Sequence, residues 1–256
     1  MMAFNNTERS AEELVSRLRS INLPGMAEEL LEQCSAPECE DLSFLERLDM
    51  LIEAQIQRRF DNKVARCHRD AKLRYPMAST HDIQYLPDRG LDPALLTSLA
   101  QCRWVDDGHN IVLMGAAGSG KTFIGCALGV AACNKAISVR YIRMDDLMRE
   151  INDAKLAGVY DKTIQRYAAA KVLILDEFLL SRLNAPQTSD LLNLLENRRQ
   201  GAIVLCTQFA VHEWYDRLNV TDDSKALCES VLDRLVHGRH EIMIGGEQSM
   251  RERLLR

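Results

Sequence analysis

Gly115-Ala116-Ala117-Gly118-Ser119-Gly120-Lys121-Thr122 is the stretch on which the fold turns. It satisfies G-x-x-x-x-G-K-[ST] at every position, and its flanks supply the context this pattern needs. Ile111 to Met114 before it is a short apolar run of the buried-strand type, and Phe123 to Cys133 after it is Ala-rich and helix-compatible. Strand, glycine loop and helix in that order make a phosphate cradle. Glycines let the backbone curl so that its N–H groups point inward at an anion, and the helix N-terminus adds its positive dipole end. Lys121 then reaches the β/γ-phosphates of a bound nucleotide and the Thr122 hydroxyl holds Mg²⁺. Phe123 falls within the same nucleotide site. The competing reading, a glycine-rich turn with a chance lysine, does not account for both flanks.

Working outward, Lys171-Val172-Leu173-Ile174-Leu175-Asp176-Glu177 is an apolar run ending in two acids. Such a run reads as a strand buried on both faces of a parallel sheet, and ligands bind at the C-terminal ends of such strands. Asp176 is thereby placed to hold Mg²⁺, and Glu177 to take a proton from an attacking water. Taken without the glycine loop, the same pair would be a helix N-cap with a first-turn acid.

From residue 110 the pattern alternates. Strands are expected at 110–114, 138–143, 172–176, 202–206 and 240–244, with helices near 121–134, 145–157, 160–169, 187–199 and 224–236. Alternation of this kind predicts an α/β fold with a five-stranded parallel sheet between helical layers. Residues 8 to about 75 read as helical. Ser43 and Glu46 form a capping box for a long helix with an apolar stripe through Phe44, Leu45, Leu48, Leu51, Ile52 and Ile56, and Pro76 is expected to end it. Residues 76–109 read as a connector with a short helix at 93–102. The expected division is an α-helical N-terminal domain over 1–88, for DNA or partner binding, and an ATPase domain over 89–256. The adenine contacts are expected within 89–109.

With 46% hydrophobic and 27% charged residues, the composition is that of an ordinary globular protein. No apolar run reaches the roughly 18–20 residues of a membrane span, and the first residues carry no secretory pattern. None of the eight cysteines forms a C-x-x-C pair, so they read as reduced thiols of a cytoplasmic protein. The net charge of −5 gives no global field for nucleic acid. Locally the balance reverses: between Gln55 and Tyr75, seven basic residues stand against two acidic ones. Of the candidate DNA-contacting residues Arg58, Arg59, Lys63, Arg66 and Arg69, the last four share a helix face. They read either as a face for DNA phosphates, with salt-sensitive binding, or as a solvated basic face.

The strand end Leu205-Cys206-Thr207-Gln208 faces the γ-phosphate in sheets of this kind, so Thr207 or Gln208 could sense it or position the water, or simply begin a turn. Arg234, Arg239 and Arg251 follow near the C-terminus. An arginine can stabilise transition-state charge from its own chain or from a neighbouring subunit.

Beyond these motifs, LPGMAEELLEQ (23–33), LSFLERLDMLIEAQ (42–55), LRYPMASTHDIQY (73–85), CTQFAVHEWYDRL (206–218), LCESVLDRLVH (227–237) and GEQSMRERL (246–254) resemble the IstB-type helper ATPases of bacterial insertion sequences, relatives of the DnaC helicase loaders and DnaA-type AAA+ proteins. The resemblance implies a P-loop NTPase module of AAA+ type and ATP-driven assembly of a homo-oligomer on double-stranded DNA. It also implies recruitment and stimulation of a transposase. Thr207 matches the sensor-1 position, Arg234 the region of a trans-acting arginine finger with Arg239 as competitor, and Arg251 the sensor-2 region. Many relatives carry Asp where this chain has Glu177. A DnaC-like helicase loader is the alternative function.

Overall fold

The computed structural model describes residues 11–218, 225–246 and 249–253. The chain divides into two compact units between Ala65 and Arg66. The first holds α1 (Ala11–Ser20), α2 (Pro24–Ser35) and most of α3 (Phe44–Ala71). As expected, Ser43 and Glu46 cap α3 reciprocally: Ser43 N donates to Glu46 Oε2 (2.8 Å) and Glu46 N to Ser43 Oγ (3.4 Å). The α2 helix covers the α3 side that carries Arg47, Ala54 and Gln55. Gln33 donates to the Arg47 carbonyl (3.0 Å), Gly25 N donates to Gln55 Oε1 (2.9 Å), and a Cβ at Gly25 would meet the α3 backbone. The anticipated apolar stripe is therefore only half covered in its unit. Leu48 and Leu51 are partly buried, while Phe44, Leu45, Ile52 and Ile56 on the other side are exposed.

The α3 helix stops at Ala71, ahead of Pro76, because Lys72 takes a left-handed conformation (φ +55°) that breaks the ladder. Residues 66–88 belong with the sheet unit rather than with the helical one, so the units part earlier than the expected 88/89. Cys67, Ala71, Leu73, Ala78 and Ile83 are buried in the sheet unit's core. The supposed connector is likewise a packed layer. It holds α4 (Pro93–Ala100) and α5 (Arg103–Asp106), with Leu96, Leu99, Trp104 and Val105 buried.

The sheet unit continues through β1 (Asn110–Gly115), α6 (Lys121–Asn134), β2 (Val139–Arg143), α7 (Met144–Leu156), α8 (Tyr160–Ala168) and β3 (Val172–Asp176). It closes with α9 (Ala185–Asn197), β4 (Ala202–Thr207), α10 (Trp214–Arg217), α11 (Lys225–Val236), β5 (Arg239–Ile244) and α12 (Met250–Arg253). All strands pair in parallel in the order β2-β3-β4-β1-β5. Side chains alternate across the sheet. Ile111, Leu113, Ile174 and Val204 pack with α4–α6, whereas Val112, Leu173, Leu175 and Leu205 pack with α7–α11. Both faces are covered, which is why the central strands read as unbroken apolar runs. Among the described residues no disulfide forms, all cysteines but Cys34 are buried, and no helix is long and apolar enough to cross a membrane.

Candidate active site

The glycine loop joins β1 to α6 over the C-terminal edge of the sheet. Gly118 and Gly120 adopt φ of +79° and +95°, and a Cβ on Gly118 would collide with the Ser249 side chain. Lys121 is nearly buried. Its ammonium donates to the Gly115 and Ala116 carbonyls at 2.8 and 2.7 Å, so it lies folded back on its own loop.

Thr122 Oγ1 lies 3.0 Å from each carboxylate oxygen of Asp176. Asp176 ends β3 and is 1% exposed. Two further donors hold it: the Tyr141 hydroxyl (2.7 Å) and the Glu177 amide (3.0 Å). Tyr141 comes from the neighbouring strand β2. Its burial, and then the Asp176 charge, push its pKa well up, so it stays a donor at any ordinary pH. Glu177 follows with φ +53°, and its carboxylate is paired with Arg143, whose Nε donates at 2.9 Å. Arg143 sits opposite Asp176 in the β2–β3 register.

Thr207 lies beside Met114 at the end of β4, one strand over from β1. Its hydroxyl donates to the Phe178 carbonyl (3.0 Å) and accepts from Phe209 N (3.2 Å), so its proton is already committed to the loop after β3. Gln208, the other residue singled out there, is exposed.

A cavity of about 400 Å³ opens beside the loop, lined by Arg74, Tyr75, Asp82, Ile83, Gln84, Arg89 and Met250 along with Gly118 to Ile124 except Ser119. Phe123 lines it, with its ring 5.9 Å from that of Tyr75. Only Arg89 of this lining falls within 89–109, where the adenine contacts were expected. Tyr75 and Ile83 from residues 74–84 face Phe123, Ile124 and Met250 across the cavity, because the chain leaving α3 folds back over α6.

The structure brings residues 115–123, Asp176, Glu177 and Thr207 to one sheet edge. It does not bring Arg234 or Arg239 there. The Arg234 carbonyl accepts from Asn110 Nδ2 (3.0 Å), and Arg239 pairs with Asn110 in register. Asn110 begins β1 and the loop follows its last residue, so these arginines lie about 17–20 Å away along the strand. Arg234 is tied to Glu196 (3.2 Å) and Arg239 to Glu241. The side chain of Arg251 lies outside the described residues; its helix α12 reaches the loop through Met250 N, which donates to Gly118 O (2.9 Å).

Thr122 beside a doubly held carboxylate is a hard-oxygen pair suited to Mg²⁺. Among the described residues no cluster of three or more His, Cys, Asp or Glu offers an all-protein metal cage, and Mg²⁺ characteristically takes few protein ligands, completing its shell with substrate phosphates and water.

Residues 16–255 match the family model of the IstB-like ATP binding proteins. The chain belongs to this family. A Sinorhizobium fredii protein named as an insertion-sequence ATP-binding protein, y4pL, is 34% identical over 94% of this chain and 97% of its own length. A Pseudomonas fluorescens protein named in the same way is 36% identical over 75% of this chain and 84% of its own. Among solved structures, the DnaC helicase loader superposes with a TM-score of 0.55 at 18% identity, covering 67% of this chain and 98% of that one. AMPPCP-bound DnaA from Aquifex aeolicus gives 0.55 at 16% identity, over 70% of this chain and 54% of that one. This IstB-like chain thus shares the AAA+ P-loop α/β fold of those proteins.

Tyr141 and Arg143 were not singled out from sequence, Arg89 entered only as part of the 89–109 window, and residues 74–84 only within a family-like stretch with no site role. Nothing in a lone Tyr or Arg on a strand marks it; the β2–β3 pairing creates its role.

Proposed function

We propose that this IstB-like protein is a Mg²⁺-dependent ATPase that assembles as a homo-oligomer on double-stranded DNA and recruits and stimulates a transposase. The observation that carries the reading is the convergence of Lys121, Thr122, Asp176 and Glu177 at one edge of the sheet. The insertion-sequence naming of its relatives supports the transposase over a replicative helicase as the partner.

The glycine-loop amides cradle the phosphates, and Lys121 exchanges its two carbonyl partners for phosphate oxygens. The ATP base occupies the neighbouring cavity against Tyr75 and Phe123. Thr122 and Asp176 would hold Mg²⁺, which supplies charge neutralisation at the phosphates when bound. Glu177 accepts the proton of the attacking water once its carboxylate is free of Arg143. Thr207 braces the loop after β3, which leaves the exposed Gln208 of that pair to sense the γ-phosphate. Arg234 or Arg239 acts on the site of a neighbouring copy. On α3, Arg59, Lys63, Arg66 and Arg69 are exposed and Arg58 is half-buried and paired with Glu28. These residues contact DNA phosphates.

The test compares ATP binding and turnover, with and without Mg²⁺, in wild type, Lys121→Ala and Glu177→Gln. Glu177→Gln should keep its ATP affinity and lose turnover by about 10²–10⁴-fold, and Lys121→Ala should lose affinity. Undiminished turnover in Glu177→Gln, or no ATP binding by wild type, contradicts the proposal.

A further inference from the structure

Arg89 is 3% exposed, an unusual location for a guanidinium. Its Nη2 donates to the Ser119 carbonyl (2.7 Å) and its Nη1 to the Gln84 carbonyl (2.5 Å), while Nε is buried without a hydrogen-bond partner among the described residues. A Cβ at Gly120 would stand 2.9 Å from Nη2, so the guanidinium packs directly against the loop that precedes Lys121. The Arg89 carbonyl accepts from Gly245 N (2.9 Å), and adjacent Asp88 is ion-paired with Arg253 of α12 (2.6 Å). One short segment thus touches the glycine loop, the cavity wall and the C-terminal helix.

A loop that cradles an anion turns its N–H groups inward and its carbonyls outward. An outward carbonyl that is buried needs a donor. For Ser119 that donor is Arg89, through a charge-assisted bond. We infer that Arg89 is a positioning residue for the ATPase reaction, fixing the Ser119–Gly120 peptide so that the loop amides meet the phosphates of ATP. This rests on the proposed ATP reading. The surroundings agree with it. Asp88 is ion-paired with Arg253, and both charges act on the neighbouring Arg89. Burial, and then the neighbouring Arg253, lower the proton affinity of Arg89. An anionic phosphate chain held by the loop beside Arg89 would favour the charged form of this buried guanidinium.

The experiment measures the Kd of a fluorescent ATP analogue, the KM and kcat of hydrolysis, and thermal stability for wild type, Arg89→Lys and Arg89→Met. Loop amides contact phosphate equally in ground and transition states, so the expected result is a raised Kd and KM with kcat within about twofold. Arg89→Met should weaken binding about tenfold or more. Arg89→Lys, which can reach Ser119 but not Ser119 and Gln84 together, should recover part of that affinity. If Arg89→Met does not fold, Arg89→Lys alone decides: it must still bind ATP more weakly than wild type. A folded variant that melts lower but binds ATP like wild type makes Arg89 a purely structural residue and overturns the inference. A wild type that binds no ATP overturns the ATP reading itself, and the inference with it.

Discussion

Asp176 is the residue on which the site converges: Thr122, Tyr141 and the Glu177 amide all meet its carboxylate. Removing one donor leaves the carboxylate less well oriented, and a hydrogen bond to a charged group contributes about 1.5–3 kcal/mol. Tyr141→Phe keeps the ring in the core and deletes only that donor. The Mg²⁺ concentration for half-maximal ATPase activity should rise about tenfold, checked by a Mg²⁺ titration at saturating ATP. An unchanged titration would mean that Tyr141 merely packs. At this scale, residues 115–122 and Asp176-Glu177 were legible because their spacing along the chain already carries the chemistry. Tyr141, Arg143 and Arg89 were not, since each acquires its partner from a segment distant in sequence.

The five strands and the helices α6, α7, α8, α9 and α11 fall within two residues of the boundaries expected from their pattern, because the central strands are buried on both faces and the apolar and polar runs alternate along the chain. The short α5, α10 and α12 carry no such pattern and were not expected. The α9 helix is also capped locally. Asn184 accepts from Gln187 N (2.9 Å) while Gln187 Oε1 accepts from Asn184 N (3.0 Å), a reciprocal cap. Asn184→Ala should cost about 1 kcal/mol, a drop in Tm of roughly 2–4 °C for a unit of this size. Calorimetry would measure it, with ATP affinity unchanged. Where the pattern misled, backbone conformation or tertiary cover decided the outcome. Pro76 seemed the stop signal for α3, yet Lys72 at φ +55° ends it. Residues 76–109 are rich in Pro and Gly and read as a connector, yet Trp104, Leu96 and Ile83 pack them onto the sheet unit.

At the scale of the whole molecule, the candidate site residues are divided between two ends of the sheet. The glycine loop and the acids lie at the C-terminal edge, while Arg234 and Arg239 lie beside Asn110 at the opposite one. Neither arginine serves the loop of its own chain at that distance, so a role in hydrolysis requires a second copy. The exposed basic residues of α3 add a local reversal of sign in a chain of net charge −5, which suits a phosphate backbone as the scaffold for assembly. The most direct measurement is size-resolved detection of complexes on duplex DNA, with and without ATP, for wild type and Glu177→Gln at two salt concentrations. The account predicts large DNA-bound assemblies that form only with ATP, persist in Glu177→Gln and weaken as salt rises. A protein that binds ATP yet stays a single copy and retains no duplex DNA would contradict it.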